Sequence, residues 1–81
     1  MEKPSDISSE IKMRIEKSIE NSQAEVTCGG DRHYSLTVIS NSFDGLTQVK
    51  QHQLVYAAIK DLMAGNDAPI HAIDQMNIQT S

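Results

Sequence analysis

The segment from Phe43 to Tyr56, Phe-Asp-Gly-Leu-Thr-Gln-Val-Lys-Gln-His-Gln-Leu-Val-Tyr, constrains the fold more than any other part of the chain. Asp44-Gly45 is a turn signal, because Gly accepts the positive φ that a side chain resists. Thr47 follows at the spacing of a helix cap, where its hydroxyl accepts from an orphan N–H of the first turn. From there Val49, Val55, Tyr56, Ile59, Leu62 and Met63 recur at helical spacing and are predicted to share one broad apolar face. The helix should stop near Ala64, since Gly65-Asn66 is a helix-ending pair and Pro69 forbids its return. A strand end, a tight turn and a helix are therefore written into one continuous stretch.

The strand that feeds this turn is the clearest in the sequence. From His33 to Ser40, Tyr34, Leu36 and Val38 alternate with Ser35 and Thr37, the period of a sheet with one buried face. Ala24–Cys28 is a shorter strand candidate, with Val26 and Thr27 favouring extended backbone. Gly29-Gly30-Asp31 breaks it, so the two strands should form a hairpin. Upstream, Ile7, Ile11, Ile15 and Ile19 repeat every four residues and draw one apolar stripe along an amphipathic helix. That helix is expected to be capped by Asp6 or Ser5 and to end near Asn21-Ser22. Ile70 to Ile78 is the last strand candidate, with imperfect alternation.

The order is helix, strand, strand, short helical turn, helix, strand. Helices segregated from a small sheet make an α+β domain. The last strand follows a helical crossover and can run parallel to a neighbour, which makes the sheet mixed. A single domain over residues 7–78 is expected, with a flexible N-terminus at 1–6 and a flexible tail at 79–81.

A chain of 81 residues buries only about 60–65% of its unfolded surface, too little to line a deep substrate cavity. Seven basic against eleven acidic residues leave a net charge of −4 with His neutral. That balance opposes the clustered cations that non-specific nucleic-acid binding needs. One cysteine, Cys28, excludes an intramolecular disulfide and any metal site built from several thiolates of one chain. No run reaches the roughly 18–20 apolar residues of a membrane span, and the first residues lack the apolar core of a signal peptide. The expectation is a cytoplasmic protein without membrane contact, or an organellar one if a transit peptide precedes this sequence.

Three side chains carry metal chemistry: Cys28, His33 and His71. Cys28 and His33 flank the hairpin turn, and His71 opens the last strand, so all three can lie at a common edge of the sheet. Thiolate and imidazole suit Fe–S clusters and zinc. A cluster takes four ligands, and this chain offers two or three near one another, so a site shared with a partner is the sharper reading. Against it stands the ordinary reading, in which an exposed His is idle and a strand Cys is a small apolar residue. His52 lies three residues before Val55 and seven before Ile59, which places it on or beside the apolar face. No nucleophile elbow or Cys-x-x-Cys pair is present, so no enzyme is expected.

The pattern Phe-x-Gly-x-x-x-Val-x-x-His-Gln-x-Val-Tyr resembles the signature of the BolA family, and Ile70-His71-Ala72 resembles that family's second signature. The resemblance spans roughly residues 7–78. It implies a three-stranded mixed sheet with helices on one face, similar to a type II KH domain. It further implies a monothiol glutaredoxin of the CGFS type as partner and a [2Fe–2S] cluster shared with it. In that arrangement the partner supplies its active-site Cys and a glutathione thiolate. This chain supplies His71 and a second ligand from the hairpin loop, either Cys28 or His33, with His33-Tyr34 resembling the family's His-aromatic pair. The implied roles are cluster trafficking, iron regulation and stress response.

The competing reading is a DNA-binding transcriptional regulator that uses the turn and helix from Phe43 to Leu62. It would contact phosphates weakly through Arg32, Lys50, His52 and Lys60, helped by bound glutaredoxin or by homodimerisation. Relatives often flank the helix His with Arg; here Gln51 and Gln53 stand there. Residues 44–49 carry one Gly where a KH clamp needs Gly-x-x-Gly, and the family's later Thr-Pro segment and following helix are expected to be absent or reduced to Gln79-Thr80-Ser81.

Overall fold

The second strand is the spine of the molecule. In the computed structural model, which describes residues 7–30, 32–65 and 68–80, β1 (Ser22–Gly30) and β2 (His33–Ser40) pair antiparallel, and β3 (Ala72–Gln79) runs parallel to β2 on its other side. The alternation of β2 is realised in full: Tyr34, Leu36, Val38 and Ser40 are buried, and the residues between them are half-exposed. Cross-strand partners share a sheet face, so Ala24 and Val26 join the buried side opposite Val38 and Leu36.

Two helices cover that side. α1 (Ser8–Ser18) and the residue that ends it press Ile11, Ile15 and Ile19 into the core, as the four-residue repeat predicts. α2 (Gln48–Ile59) contributes Val55 and Ile59, and Phe43, Leu62 and Ile70 complete the same cluster. Each of these side chains, fully buried, is worth about 1.5–3 kcal/mol in transfer free energy. The opposite face carries His33, Ser35, Thr37 and Ile39, all half-exposed, and no helix among the described residues covers it.

The turn into α2 forms as its residues dictate. Gly45 takes φ +83°, and Thr47 caps the helix by accepting from the Lys50 N–H at 3.2 Å. Two expectations for α2 are corrected. Val49 is 65% exposed and Tyr56 39%, so they do not join the core face. At 100° per residue they lie about a third of a turn away from Val55, and the helix turns Val55, not Val49, toward the sheet. The α-helix also ends at Ile59; Lys60–Leu62 tightens into a 3-10 turn that carries Leu62 into the core. Gly65 then takes φ +92°, and the Ile70 N–H donates to the Leu62 carbonyl at 3.0 Å.

At the start of α1 the cap position falls to Ile7, which offers no side-chain hydrogen bond. Its N–H donates instead to the buried Tyr34 hydroxyl at 3.2 Å. The cap candidates Ser5 and Asp6 lie outside the described residues, as does Asp31 of the hairpin turn. β1 is longer than the predicted Ala24–Cys28, because the Gly29-Gly30 pair still follows the ladder through a bulge. β3 begins two residues later than predicted and runs through Gln79. Ile70, just before it, is 1% exposed and belongs to the core without belonging to the sheet.

Charges on α1 tie it to its neighbours. Glu16 accepts from Lys12 Nζ at 2.8 Å and from the Ala24 N–H at 2.9 Å. The lysine first, then the backbone N–H, hold its carboxyl below the ordinary value. Arg14 bridges Asp61 and Glu10; the Arg14 hydrogen bond lowers the Asp61 carboxyl, and Asp61 foremost raises the guanidinium. Among the described residues no helix is long and apolar enough to cross a membrane.

Candidate metal centre

The hairpin turn and the entry to β3 meet at one end of the sheet. Arg32 adopts φ +63°, a left-handed conformation uncommon for a side chain with a Cβ. Its carbonyl accepts from the His71 N–H at 2.8 Å and the Ala72 N–H at 3.3 Å. Its guanidinium donates to the Ala68 carbonyl at 3.3 Å. One residue thus fastens the loop before β3 beside the first residue of β2, and the parallel register sets His33 opposite Ala72.

As a result the rings of His33 and His71 stand with centroids 5.3 Å apart, tilted by 38°. His71 is exposed and His33 half-exposed. Two imidazoles bound to one tetrahedral ion through nitrogens about 2.1 Å from it hold their centroids about 5 Å apart. The pair is therefore spaced as ligands of a single metal are spaced. His33 Nδ1 meets Asp74 Oδ1 at 2.9 Å. A carboxylate can only accept, so Nδ1 carries the proton and Nε2 is left as the donor nitrogen. Hydrogen bonding of the non-ligating nitrogen to a carboxylate is the arrangement that accompanies most metal-bound histidines.

Cys28 stands apart from this pair. It is exposed and faces Tyr34 across the hairpin, which places it on the helix-bearing side of the sheet, whereas His33, one residue before Tyr34, points to the other side. Among the described residues no group of three or more His, Cys, Asp or Glu is arranged to hold a metal ion. Two imidazoles are donors that suit a metal ion but fall short of a complete site.

The remaining candidates scatter. His52 is half-buried on α2 between Val55 and the exposed Val49. Lys50 lies in the first turn of α2, and Lys60 lies just past its last residue, so the two cations are at opposite ends of the helix. Arg32 is on the sheet end with its guanidinium committed to Ala68. Asp74 was not singled out by the sequence. It sits in a strand of mixed pattern, and its meeting with His33 depends on a register shift that leaves it without a partner between Ile73 and Gln75.

Comparison with known proteins agrees with this fold. The family model described as BolA-like protein matches residues 7–81. The chain belongs to the BolA-like family. Its similarity to a protein of Buchnera aphidicola is 34% identity over 68 residues, 84% of this chain and 81% of that protein. BolA-like protein 1 of Bos taurus is 38% identical over 45 residues, 56% of this chain; the match spans only 31% of the bovine protein. Among solved structures, a BolA homologue from Coxiella burnetii superposes with a TM-score of 0.68 at 30% identity, covering 93% of this chain and 91% of that one. The BolA1 protein of Arabidopsis thaliana superposes at 0.74 with 22% identity, over 99% and 94% of the two chains, a likeness of fold. In this BolA-like chain the helical signature builds the core contact of α2, and the Ile-His-Ala signature delivers His71 to the end of the sheet.

Proposed function

We propose that this BolA-like protein is a non-catalytic adaptor that binds a monothiol glutaredoxin and shares a [2Fe–2S] cluster with it. His33 and His71 occupy one iron, and the partner's cysteine and a glutathione thiolate occupy the other. The observation that carries the reading is the pair of accessible imidazoles 5.3 Å apart, two ligands of the right chemistry with no third grouped with them among the described residues. A cluster ligated by two histidines on one iron is more easily reduced than an all-thiolate one. Such a complex serves cluster transfer or iron sensing, because imidazole ligands on an exposed edge leave the cluster open to a client.

Between the two hairpin candidates, the reading takes His33 and leaves Cys28 out, since Cys28 opens toward the other face. Each residue has its own work here. His71 is held by its backbone N–H on the Arg32 carbonyl, His33 by its position at the start of β2, and both rings stand clear of the core. The test is a titration of this protein into cluster-loaded monothiol glutaredoxin with glutathione, followed by visible absorption and circular dichroism. A changed spectrum with a one-to-one endpoint, abolished by His71→Ala and by His33→Ala but kept by Cys28→Ser, is expected. An unchanged spectrum with no binding detected in parallel defeats the proposal.

A further inference from the structure

We infer that Asp74 is the positioning residue of this site: its carboxylate fixes the tautomer and ring orientation of His33, so that Nε2 is the nitrogen offered beside His71. The inference rests on the shared-cluster reading and assigns a role to a residue outside both sequence signatures. Three observations support it. Asp74 Oδ1 lies 2.9 Å from His33 Nδ1, a distance typical of a charge-assisted hydrogen bond. The two residues are 41 positions apart in sequence, so the contact is made by the fold and not by local chain geometry. And β3 departs from regular pairing at this one place: Ile73 pairs with Tyr34 and Gln75 with Ser35, leaving Asp74 as the extra residue.

The bulge explains how the contact arises. In a regular strand side chains alternate between faces, and a one-residue slip flips every side chain that follows. Ile73, Met76 and Ile78 pack against the core. The step from Ile73 to Met76 is odd, so strict alternation would put one of them on the solvent side. Inserting Asp74 restores the core phase for Met76 and Ile78 and turns the inserted side chain toward His33. Bulges commonly re-aim one side chain beside a functional site. The other oxygen of Asp74 lies toward Gly29, where an added Cβ would stand 3.9 Å from it, so the loop leaves the carboxylate room.

The chemical consequence is definite. A neutral imidazole free in water exchanges its proton between both nitrogens. With Nδ1–H of the neutral ring donated to a carboxylate, the Nε2 lone pair is left for a metal and the hydrogen bond holds the ring about χ2. Loss of an outer-shell partner of this kind typically lowers metal affinity 10–100-fold.

The experiment has two arms. In the metal-free protein, long-range proton–nitrogen correlation spectra at about pH 9, above the ordinary imidazole range, report the His33 tautomer directly. The Nδ1–H form is expected in the parent and a shift toward Nε2–H in Asp74→Ala. Asp74 is exposed, so the variant should fold, and Asp74→Asn serves as a second substitution of unchanged size. In the second arm, the concentration of Asp74→Ala needed to convert half of the cluster-loaded glutaredoxin spectrum should rise about 10–100-fold. An unchanged tautomer in both variants overturns the inference and leaves the shared-cluster reading standing. A shifted tautomer with an unshifted half-conversion concentration overturns the positioning role. Failure of His33→Ala to alter the cluster spectrum overturns the shared-cluster reading, and the cluster role of Asp74 with it, whatever the tautomer arm gives.

Discussion

Ser40 is fully buried, and replacing it by Ala tests how the end of β2 is joined to the end of α1. Its hydroxyl donates to the Glu20 carbonyl at 2.7 Å and accepts from the Ser42 N–H at 3.0 Å. The first bond ties β2 to the turn after α1; the second starts the 3-10 turn that carries Phe43 into the core. Ala removes a single oxygen, so packing hardly changes and the loss is one of hydrogen bonding. A typical intramolecular hydrogen bond is worth about 0.5–1.5 kcal/mol net. Glu20 keeps a second donor, the Ser42 hydroxyl at 3.1 Å, and the exposed Ser42 N–H can turn to water. The expected cost is therefore about 1–2 kcal/mol, below the sum of two lost bonds left wholly unsatisfied. For a domain of this size that lowers Tm by about 5–15 °C and the urea midpoint by about 1–2 M. Urea unfolding followed by far-ultraviolet circular dichroism measures it, with Ser42→Ala as the exposed control expected to change stability by less than about 0.5 kcal/mol. A Ser40→Ala protein as stable as its parent would refute the claim that this hydroxyl clasps the two elements.

Gly45→Ala should cost about 1–2 kcal/mol in the same assay, because φ is +83° while nothing lies within 4 Å of an added Cβ; backbone conformation alone is tested. Val49→Ser should leave stability within about 0.5 kcal/mol, whereas Val55→Ala should lose about 2 kcal/mol; equal effects would contradict the observed rotation of α2. Glu16→Gln should destabilise by about 0.5–1 kcal/mol at neutral pH, a surface-screened value. A carboxyl whose folded pKa is lowered stabilises above its ordinary pKa and loses that contribution as pH falls through the folded one. The gap between parent and variant should therefore close as pH drops below the ordinary 4.5, and a gap that persists would contradict the Lys12–Glu16–Ala24 arrangement.

Much of the fold was legible because local and long-range demands agreed. The two-residue period of β2, the four-residue isoleucine repeat of α1 and the Gly45–Thr47 turn each specify one conformation; β2 and the turn formed as read, and α1 formed on its isoleucine stripe but ends at Ser18, short of the expected Asn21-Ser22. The face of α2 was less legible. Val49 and Tyr56 are apolar and helical in spacing, yet nothing local says which side of a short helix meets the sheet; the positions of Phe43 and Leu62 decide that. The candidate site was half legible. His33 and His71 could be named as donors, and their ends of the chain placed at one sheet edge. That Cys28 and His33 stand on opposite faces of the sheet required the cross-strand register, which sets Cys28 opposite Tyr34. Asp74 was illegible because its role depends on a bulge, and a bulge in a strand with imperfect alternation leaves no mark that the residue types alone would show.

The most direct measurement is nitrogen hyperfine spectroscopy of the reduced cluster in the complex, with 15N-histidine incorporated only in this chain. Couplings from two histidine nitrogens are predicted, reduced to one in either His33→Ala or His71→Ala and unaffected in Cys28→Ser. A single coupling in the parent complex, lost with His71→Ala but indifferent to His33→Ala, would contradict the paired-imidazole site.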